Sequence, residues 1–215
     1  MSNELTSKAI MPPTLGNVAQ TGNTNVNVTN QDGGIVNINY NFQNGSISNS
    51  AEQMMAIQAF SKEYYQLLVT CEEDVYKDNI VTVSASRALS QYLVPPEILD
   101  RCSSLSEEGI KELKTFPAII CRENTEMKGS TDPNQCAVYG YITRVKKEGR
   151  NIKVAFHPIG LIRQSILCEK KYAIYFDLDM DCAITDLNYS AWSVHKANLF
   201  EAFKEAGISN IPIPV

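Results

Sequence analysis

Three aspartates at alternate positions are the residues of this chain best suited to chemistry. They are Asp177, Asp179 and Asp181, in the segment FDLDMD. On a β-strand, alternate side chains project from one face about 7 Å apart. Carboxylates placed in this way suit Mg²⁺ or Mn²⁺, ions that assist phosphoryl chemistry. The competing interpretation is a strand whose carboxylates face water while the intervening apolar residues face the core. We therefore expect no cofactor, with a metal site as the alternative.

A second candidate set lies in the segment CAVYGYITRVKKEGRNIKVAF. The chain has a net charge of −5, yet residues 140–171 contain eight basic side chains and only two acidic ones. Basic side chains interleaved with aromatic ones can hold a nucleic-acid backbone or a phosphorylated ligand. The candidates are Arg144, Lys146, Arg150, Lys153, Tyr139 and Tyr141. The competing interpretation is a solvated hairpin tip.

Other chemistry has weaker support in the sequence. The histidines, His157 and His195, lie far apart, so a Cys–His or Ser–His couple would have to assemble in space. No GxxxxGK[ST], GxGxxG, HExxH or GxSxG motif occurs, and the commonest nucleotide-binding and hydrolytic classes thereby lose their simplest support. The six cysteines form no CxxC pair and are typical of buried, reduced thiols. We expect a protein that is not an enzyme.

The chain divides near Ser50 into a short segment and a larger domain. Residues 1–50 contain eleven asparagines and only three charged side chains. Within them, asparagine alternates with apolar residues on both sides of the sequence QDGG, which predicts a β-hairpin. We interpret residues 1–50 as an oligomerisation or interaction segment. Its predicted contact residues are Val26, Val28, Val36, Ile38, Tyr40 and Phe42.

Residues 51–215 are predicted to form an α+β domain. Apolar residues at spacings of three and four predict an amphipathic helix over 51–78, and residues 117–215 read as a sheet-rich core. Strands are predicted at IVTVSA, at FPAIICRE and at YAIYFDLDMDCAI. Two more strands are predicted on either side of residues 147–151, as the arms of a hairpin whose second arm ends at Pro158. Helices are expected after Pro95, after Ser104, and between Asn198 and Gly207. The predicted fold is a small, mainly antiparallel sheet or partial β-barrel flanked by helices.

Two stretches carry a resemblance. The segment TDPNQCAVYGYITRVKKEGRNIKVAF, with the ending CAITDLNYSAWSVHKANLFEAFKEAGI, resembles a family of uncharacterised bacterial, Firmicutes-like proteins with a YGYIT hairpin. The resemblance covers roughly residues 130 to 208. It implies a place in anti-phage defence and supplies no catalytic residue. The asparagine-rich segment is also similar to short β pieces that bring subunits together in bacterial defence and signalling proteins.

Together these features predict a non-enzymatic interaction or sensor protein of a bacterial defence system. It would form a homo-oligomer through its N-terminal β segment, with a protein partner encoded nearby as a further possibility. One alternative is a metal-dependent nuclease or phosphohydrolase that uses the three aspartates. Another is a sensor that binds nucleotide or nucleic acid through residues 140–171. The chain starts without a secretory signal and has no 18-residue apolar window, so we expect it in the cytoplasm and not in a membrane.

Overall fold

The computed structural model describes residues 26–30, 36–40, 51–127, 131–209 and 211–214, in two units, Met1–Asn44 and Gly45–Val215. In the first unit, β1 (Val26–Asn30) pairs antiparallel with β2 (Val36–Tyr40). The predicted hairpin is therefore confirmed for these two strands. Phe42 and the rest of 1–50 lie outside the described residues.

The second unit is built on an open six-stranded sheet in the order β4–β7–β6–β5–β3–β8. Only β3 and β5 run parallel; the other neighbours are antiparallel. The predicted α+β class and mainly antiparallel sheet are confirmed. The strands are β3 Tyr65–Thr70, β4 Ile80–Ser84, β5 Pro117–Arg122, β6 Cys136–Glu148, β7 Asn151–Arg163 and β8 Ala191–His195.

Short helices cover both faces of the sheet. The N-cap of α4 is Ser106, two residues after the predicted Ser104, and Asn198 caps α7 as expected by accepting hydrogen bonds from two backbone N–H groups. The helices are α1 Ala51–Gln58, α2 Val75–Asp78, α3 Pro96–Cys102, α4 Glu107–Leu113, α5 Gln164–Leu167, α6 Lys170–Ala173 and α7 Leu199–Glu205. Two 3₁₀ turns lie at Ala85–Arg87 and Ile174–Phe176. Within the described ranges, no helix has the length and apolar character needed to cross a bilayer.

The single helix predicted over 51–78 is wrong between Gln58 and Val75, since only α1 and the short α2 at its two ends are helical. The chain turns after α1 and enters β3, all six of whose residues are buried. A strand buried on both faces has no polar alternation, so its apolar residues also matched helical spacing. β3 lies between β5 and β8 and is an interior strand of the sheet.

The strand predicted at YAIYFDLDMDCAI is also wrong. The chain there forms the end of α6, a 3₁₀ turn and a loop. Asp177 ends the turn in the left-handed conformation, with φ of 54°, which an extended strand does not permit. The alternation of apolar and polar residues in FDLDMD corresponds to alternating burial, with Phe176, Leu178 and Met180 in the core. Burial alternation therefore arises here without strand pairing.

The β6–β7 hairpin is confirmed but is longer than predicted. Its turn contains Gly149 at φ of +60°, which glycine adopts without steric cost. The second strand continues through Pro158 to Arg163, so Pro158 does not end it as expected. The pairing shifts register between Tyr139 and Gly140 and places Gly140 opposite Pro158. Such a bulge accommodates a proline, which has no N–H to donate.

The buried side chain of Gln66 on β3 links this strand to the end of α4 and to β8. The Gln66 side chain, fully buried, donates hydrogen bonds to the carbonyl oxygens of Leu113 (2.9 Å) and Phe116 (3.1 Å) at the end of α4. Its Oε1 accepts one from Trp192 Nε1 on β8, at 3.1 Å. One side-chain amide thus donates to carbonyl oxygens at the C-terminus of α4 and accepts from the indole N–H on the neighbouring strand.

We expect Gln66→Leu to lower the free energy of unfolding by roughly 1 to 3 kcal/mol, because it leaves the buried indole N–H of Trp192 without its acceptor and removes the side-chain donor from the carbonyl oxygens of Leu113 and Phe116. Urea denaturation followed by far-ultraviolet circular dichroism measures this loss, also in variants that lack Trp192. The double variant Gln66→Leu/Trp192→Phe should lose less than the sum of the single losses, since the two side chains share one hydrogen bond. A Gln66→Leu protein as stable as the unmodified one would contradict the assignment.

Candidate functional site

A cavity of the α+β domain lies beside the edge strand β8. It has a volume of about 620 Å³ and is lined by residues 91–95, Ile174, residues 177–179, Asp186 and residues 193–195. The wall formed by 91–95 is held against β8 by two backbone hydrogen bonds, from Leu89 N to Trp192 O (2.8 Å) and from Val194 N to Leu93 O (3.0 Å). The cavity thus forms where the chain that follows β4 reaches the opposite edge of the sheet.

The floor of the cavity carries a serine and a histidine from β8. Ser193 and His195 are two residues apart, on one side of the strand, and only 6% and 8% exposed. The Ser193 Oγ lies 2.9 Å from His195 Nε2, and it also lies 3.3 Å from the carbonyl oxygen of Leu67. The buried serine and histidine therefore form a coupled pair.

The imidazole of His195 is held from its other side as well. Its Nδ1 lies 2.8 Å from the backbone oxygen of Asp177. Because a carbonyl oxygen only accepts, His195 Nδ1 carries a proton and donates it to this oxygen, while Nε2 shares a hydrogen bond with the Ser193 hydroxyl. The ring of Tyr65 stacks on the imidazole with centroids 5.1 Å apart, and its hydroxyl donates to the oxygen of Phe176. The orientation of the imidazole ring is thereby determined.

The Asp177 carboxylate lies next to this histidine at the exposed side of the cavity. Its Oδ2 is 3.8 Å from His195 Nδ1, the distance of an ion pair without a direct hydrogen bond. The contact with His195 lowers the pKa of Asp177 below its usual value, against an opposing effect of partial burial. The carboxylate thus stays ionised at any pH near neutral.

Two further carboxylates make the cavity electronegative. The Asp186 Oδ2 accepts a hydrogen bond from Asp179 N (2.9 Å), and the Asp179 Oδ1 accepts one from Asp181 N (2.9 Å). Among the described residues that line the cavity, none is lysine or arginine. The field in the cavity therefore favours positive charge.

Ser193, His195 and Asp177 have the order of nucleophile, base and orienting group that acyl transfer uses. Acyl transfer also requires donors that stabilise an oxyanion. The charged groups around this cavity are carboxylates, which would destabilise such an anion. The arrangement therefore supports binding of a ligand better than hydrolysis.

The three predicted metal ligands do not come together. Asp177 and Asp179 line the cavity, whereas Asp181, 88% exposed, forms an ion pair with Lys170 at 2.7 Å. In the part of the chain that the structure describes, no group of three His, Cys, Asp or Glu side chains is placed to hold a metal ion. A Mg²⁺ or Mn²⁺ site stays a prediction without geometric support from these residues.

The basic candidates all lie near the tip of the β6–β7 hairpin and are exposed: Arg144, Lys146, Arg150 and Lys153. Glu148 contacts two of them, forming an ion pair with Lys146 and another with Lys153 at 2.9 Å. These lysines lower the pKa of Glu148 to about 2. Half of the predicted cationic set is therefore already paired with an acid, and phosphate binding here stays a prediction.

The two aromatic candidates lie away from that basic tip. Tyr139 is fully buried and packs edge-on against Phe203, with ring centroids 5.3 Å apart. Tyr141 is half-buried between Phe60 and His157, at 5.7 and 5.3 Å. Tyr139 is thus a core residue, and the predicted interleaving of aromatic and basic groups on one surface does not occur.

Ser193 was not among the predicted site residues, and His195 entered only through an open Ser–His or Cys–His couple. The signal that identifies them is the spacing Ser-x-His in the segment WSVH, which places both side chains on one side of the strand β8. The wall at 91–95 had no comparable signal, because its position depends on hydrogen bonds to residues about a hundred positions away.

Replacing His195 with Asn should raise the pKa of Asp177 towards its ordinary value, because the imidazolium that stabilises the carboxylate is lost. A depressed folded pKa contributes stability above the pKa of the unfolded chain, and this contribution disappears as the pH falls through the folded value. The variant should therefore lose less stability than the unmodified protein over that acid range.

Carboxyl-carbon NMR titration measures the pKa directly. Asp181 is the internal control, since Lys170 lowers its pKa and this contact does not involve His195. An Asp177 pKa that is the same with and without the imidazole would show that the contact has no electrostatic effect.

Comparisons with known proteins complete the description of this site. A scan against protein-family models, a search of curated proteins and a search of solved structures each found no match. The role of the chain is therefore inferred from its own residues and their geometry.

Proposed function

We propose that this protein is a non-enzymatic interaction and sensor protein that self-assembles through its N-terminal hairpin. The observation that carries the proposal is the register of β1 with β2, in a unit of its own. Val28 stands opposite Ile38, Val26 opposite Tyr40, and Asn27 opposite Asn39. These three pairs match apolar with apolar and asparagine with asparagine, whereas at the end next to the turn Asn30 stands opposite Val36.

An isolated two-stranded hairpin is at best marginally stable in water. Among the described residues, no third strand pairs with β1 or β2. The outer edges of such a ribbon can pair with further strands, and its apolar positions gain stability when another copy covers them. Asparagines at matching positions of stacked copies can form amide ladders. Self-association would pair the strand edges, cover the apolar positions and stack the asparagines through one kind of contact.

The α+β domain supplies the sensing part of the proposal. Its cavity beside β8 has the size of a small-ligand site, and its floor is a buried, oriented Ser–His pair. The alternatives have less support, because Glu148 pairs with two of the basic candidates and Asp181 pairs with Lys170. The resemblance to bacterial defence proteins is the reason to place this sensor in anti-phage defence in the cytoplasm, with a protein partner encoded nearby.

The full-length protein should have a mass in multi-angle light scattering that is a multiple of the 23.9 kDa of one chain. The variant Val28→Asn/Ile38→Asn should shift to a lower mass, because it removes one apolar register pair. Deletion of residues 1–49 should also lower the mass and leave the α+β domain folded by circular dichroism.

The matched control is Asn27→Ser/Asn39→Ser, which changes the adjacent register pair of the same strands and should largely retain the assembly. The proposal fails if the unmodified protein is a monomer at micromolar concentration. It also fails if the mass is unchanged after the apolar pair is replaced or residues 1–49 are removed.

A further inference from the structure

We infer that the cavity beside β8 binds a small organic cation, namely a protonated amine attached to an apolar body. This deepens the sensing part of the proposed function and is independent of how the hairpin assembles. The inference rests on the coexistence of a concave site, a buried polar floor, ionised carboxylates and an apolar rim.

The polar floor offers acceptors to a ligand. The single hydrogen of the Ser193 hydroxyl is directed to a partner within the protein, either Leu67 O at 3.3 Å or His195 Nε2 at 2.9 Å, and the Ser193 oxygen keeps a lone pair that can accept. His195 itself has its Nδ1 proton engaged by the Asp177 oxygen. A ligand that reaches this floor must therefore donate hydrogen bonds, as an ammonium group does.

The carboxylates determine the sign of the ligand's charge. Asp177 and Asp179 line the cavity, and both side chains are exposed to solvent. Asp177 retains its negative charge to unusually low pH through the contact with His195. Since no lysine or arginine lies among the described lining residues, an anionic ligand would meet uncompensated repulsion. An ammonium group would gain charge-assisted hydrogen bonds.

The same geometry favours an organic cation over a metal ion. A metal needs several oxygen or nitrogen ligands converging within about 2.0 to 2.6 Å of one point. The described His, Cys, Asp and Glu side chains offer no group of three that meets this need. The cavity, at about 620 Å³, is also far larger than a single ion requires and falls within the usual range for small-molecule sites.

The rim supplies the contact for an apolar body. Tyr92 is 87% exposed and Ile174 is 76% exposed, and both line the cavity together with the buried Leu178. Large apolar side chains left open to water around a polar floor mark binding surfaces. The ring of Tyr92 can also attract a cation over its face. An amine with an aromatic or alkyl body would satisfy the floor and the rim together.

Isothermal titration calorimetry of the full-length protein at pH 7.5 tests this inference with 2-phenylethylamine as the probe and 2-phenylethanol as its neutral counterpart. We expect the amine to bind with one site per chain and at least ten-fold more tightly than the alcohol. Raising the salt concentration should weaken the binding of the amine and leave the binding of the alcohol nearly unchanged, because only the amine's binding depends on charge. This comparison needs no variant and so does not depend on a mutant's folding.

Asp177→Asn/Asp179→Asn should lower the affinity for 2-phenylethylamine at least ten-fold. The matched control is Asp100→Asn, an exposed carboxylate on α3 that does not line the cavity, and it should bind as the unmodified protein does. Agmatine and spermidine serve as further probes of amine binding. Equal affinity for the amine and the alcohol, or no binding of any of the three amines, overturns the inference.

The two proposals fail separately. A protein that assembles in light scattering but binds none of the amines retains self-association and loses the cation site. A monomer that binds 2-phenylethylamine retains the cation site and loses the proposed assembly.

Discussion

The burial of β3 on both faces is the constraint on which the α+β domain depends. All six residues of Tyr65–Thr70 are shielded from water, and the strand runs parallel to β5 and antiparallel to β8. An interior strand of this kind requires helices above and below the sheet. One helical layer includes α7, whose Leu199, Phe200 and Phe203 belong to the main apolar core. The other includes α3 and α4, and Gln66 bonds directly to the end of α4.

The position of β3 also determines the position of the candidate site. Its outer neighbour β8 carries three residues with different roles. Trp192 bonds inward to Gln66, Ser193 contacts the carbonyl oxygen of Leu67, and His195 stacks on Tyr65. The cavity floor is therefore attached to the most buried strand of the fold, while its carboxylates lie on a loop. Functional side chains on a loop that a sheet positions are a common arrangement for ligand sites.

Sequence patterns predicted the elements that have one solvent-exposed face and one buried face. The β6–β7 hairpin and the N-cap at Asn198 were recognised from alternation and capping chemistry. β3 was missed because a fully buried strand has no alternation. FDLDMD was misread because its alternating burial belongs to a loop that the left-handed Asp177 begins. Neither failure could be corrected from local residues, since both depend on contacts far along the chain.

The candidate site was predictable only in part. Asp177 and Asp179 were selected, and they do line the cavity, although for a different chemistry. The Ser-x-His spacing of β8 was present in the sequence, but its meaning depends on the segment around Leu89–Leu93 lying along that strand. Leu89 adopts a positive φ of 50° there, which propensity alone would not suggest for leucine. Tertiary hydrogen bonds, and not local preference, place this wall.

The Ser193 hydroxyl has one hydrogen and two acceptors within reach, the Nε2 of His195 and the carbonyl oxygen of Leu67. The hydroxyl can give that hydrogen to the imidazole or to the main chain of β3, but not to both. The hydrogen bonding of the imidazole at the cavity floor is thereby linked, through one side-chain oxygen, to that of a backbone carbonyl in the interior of the sheet.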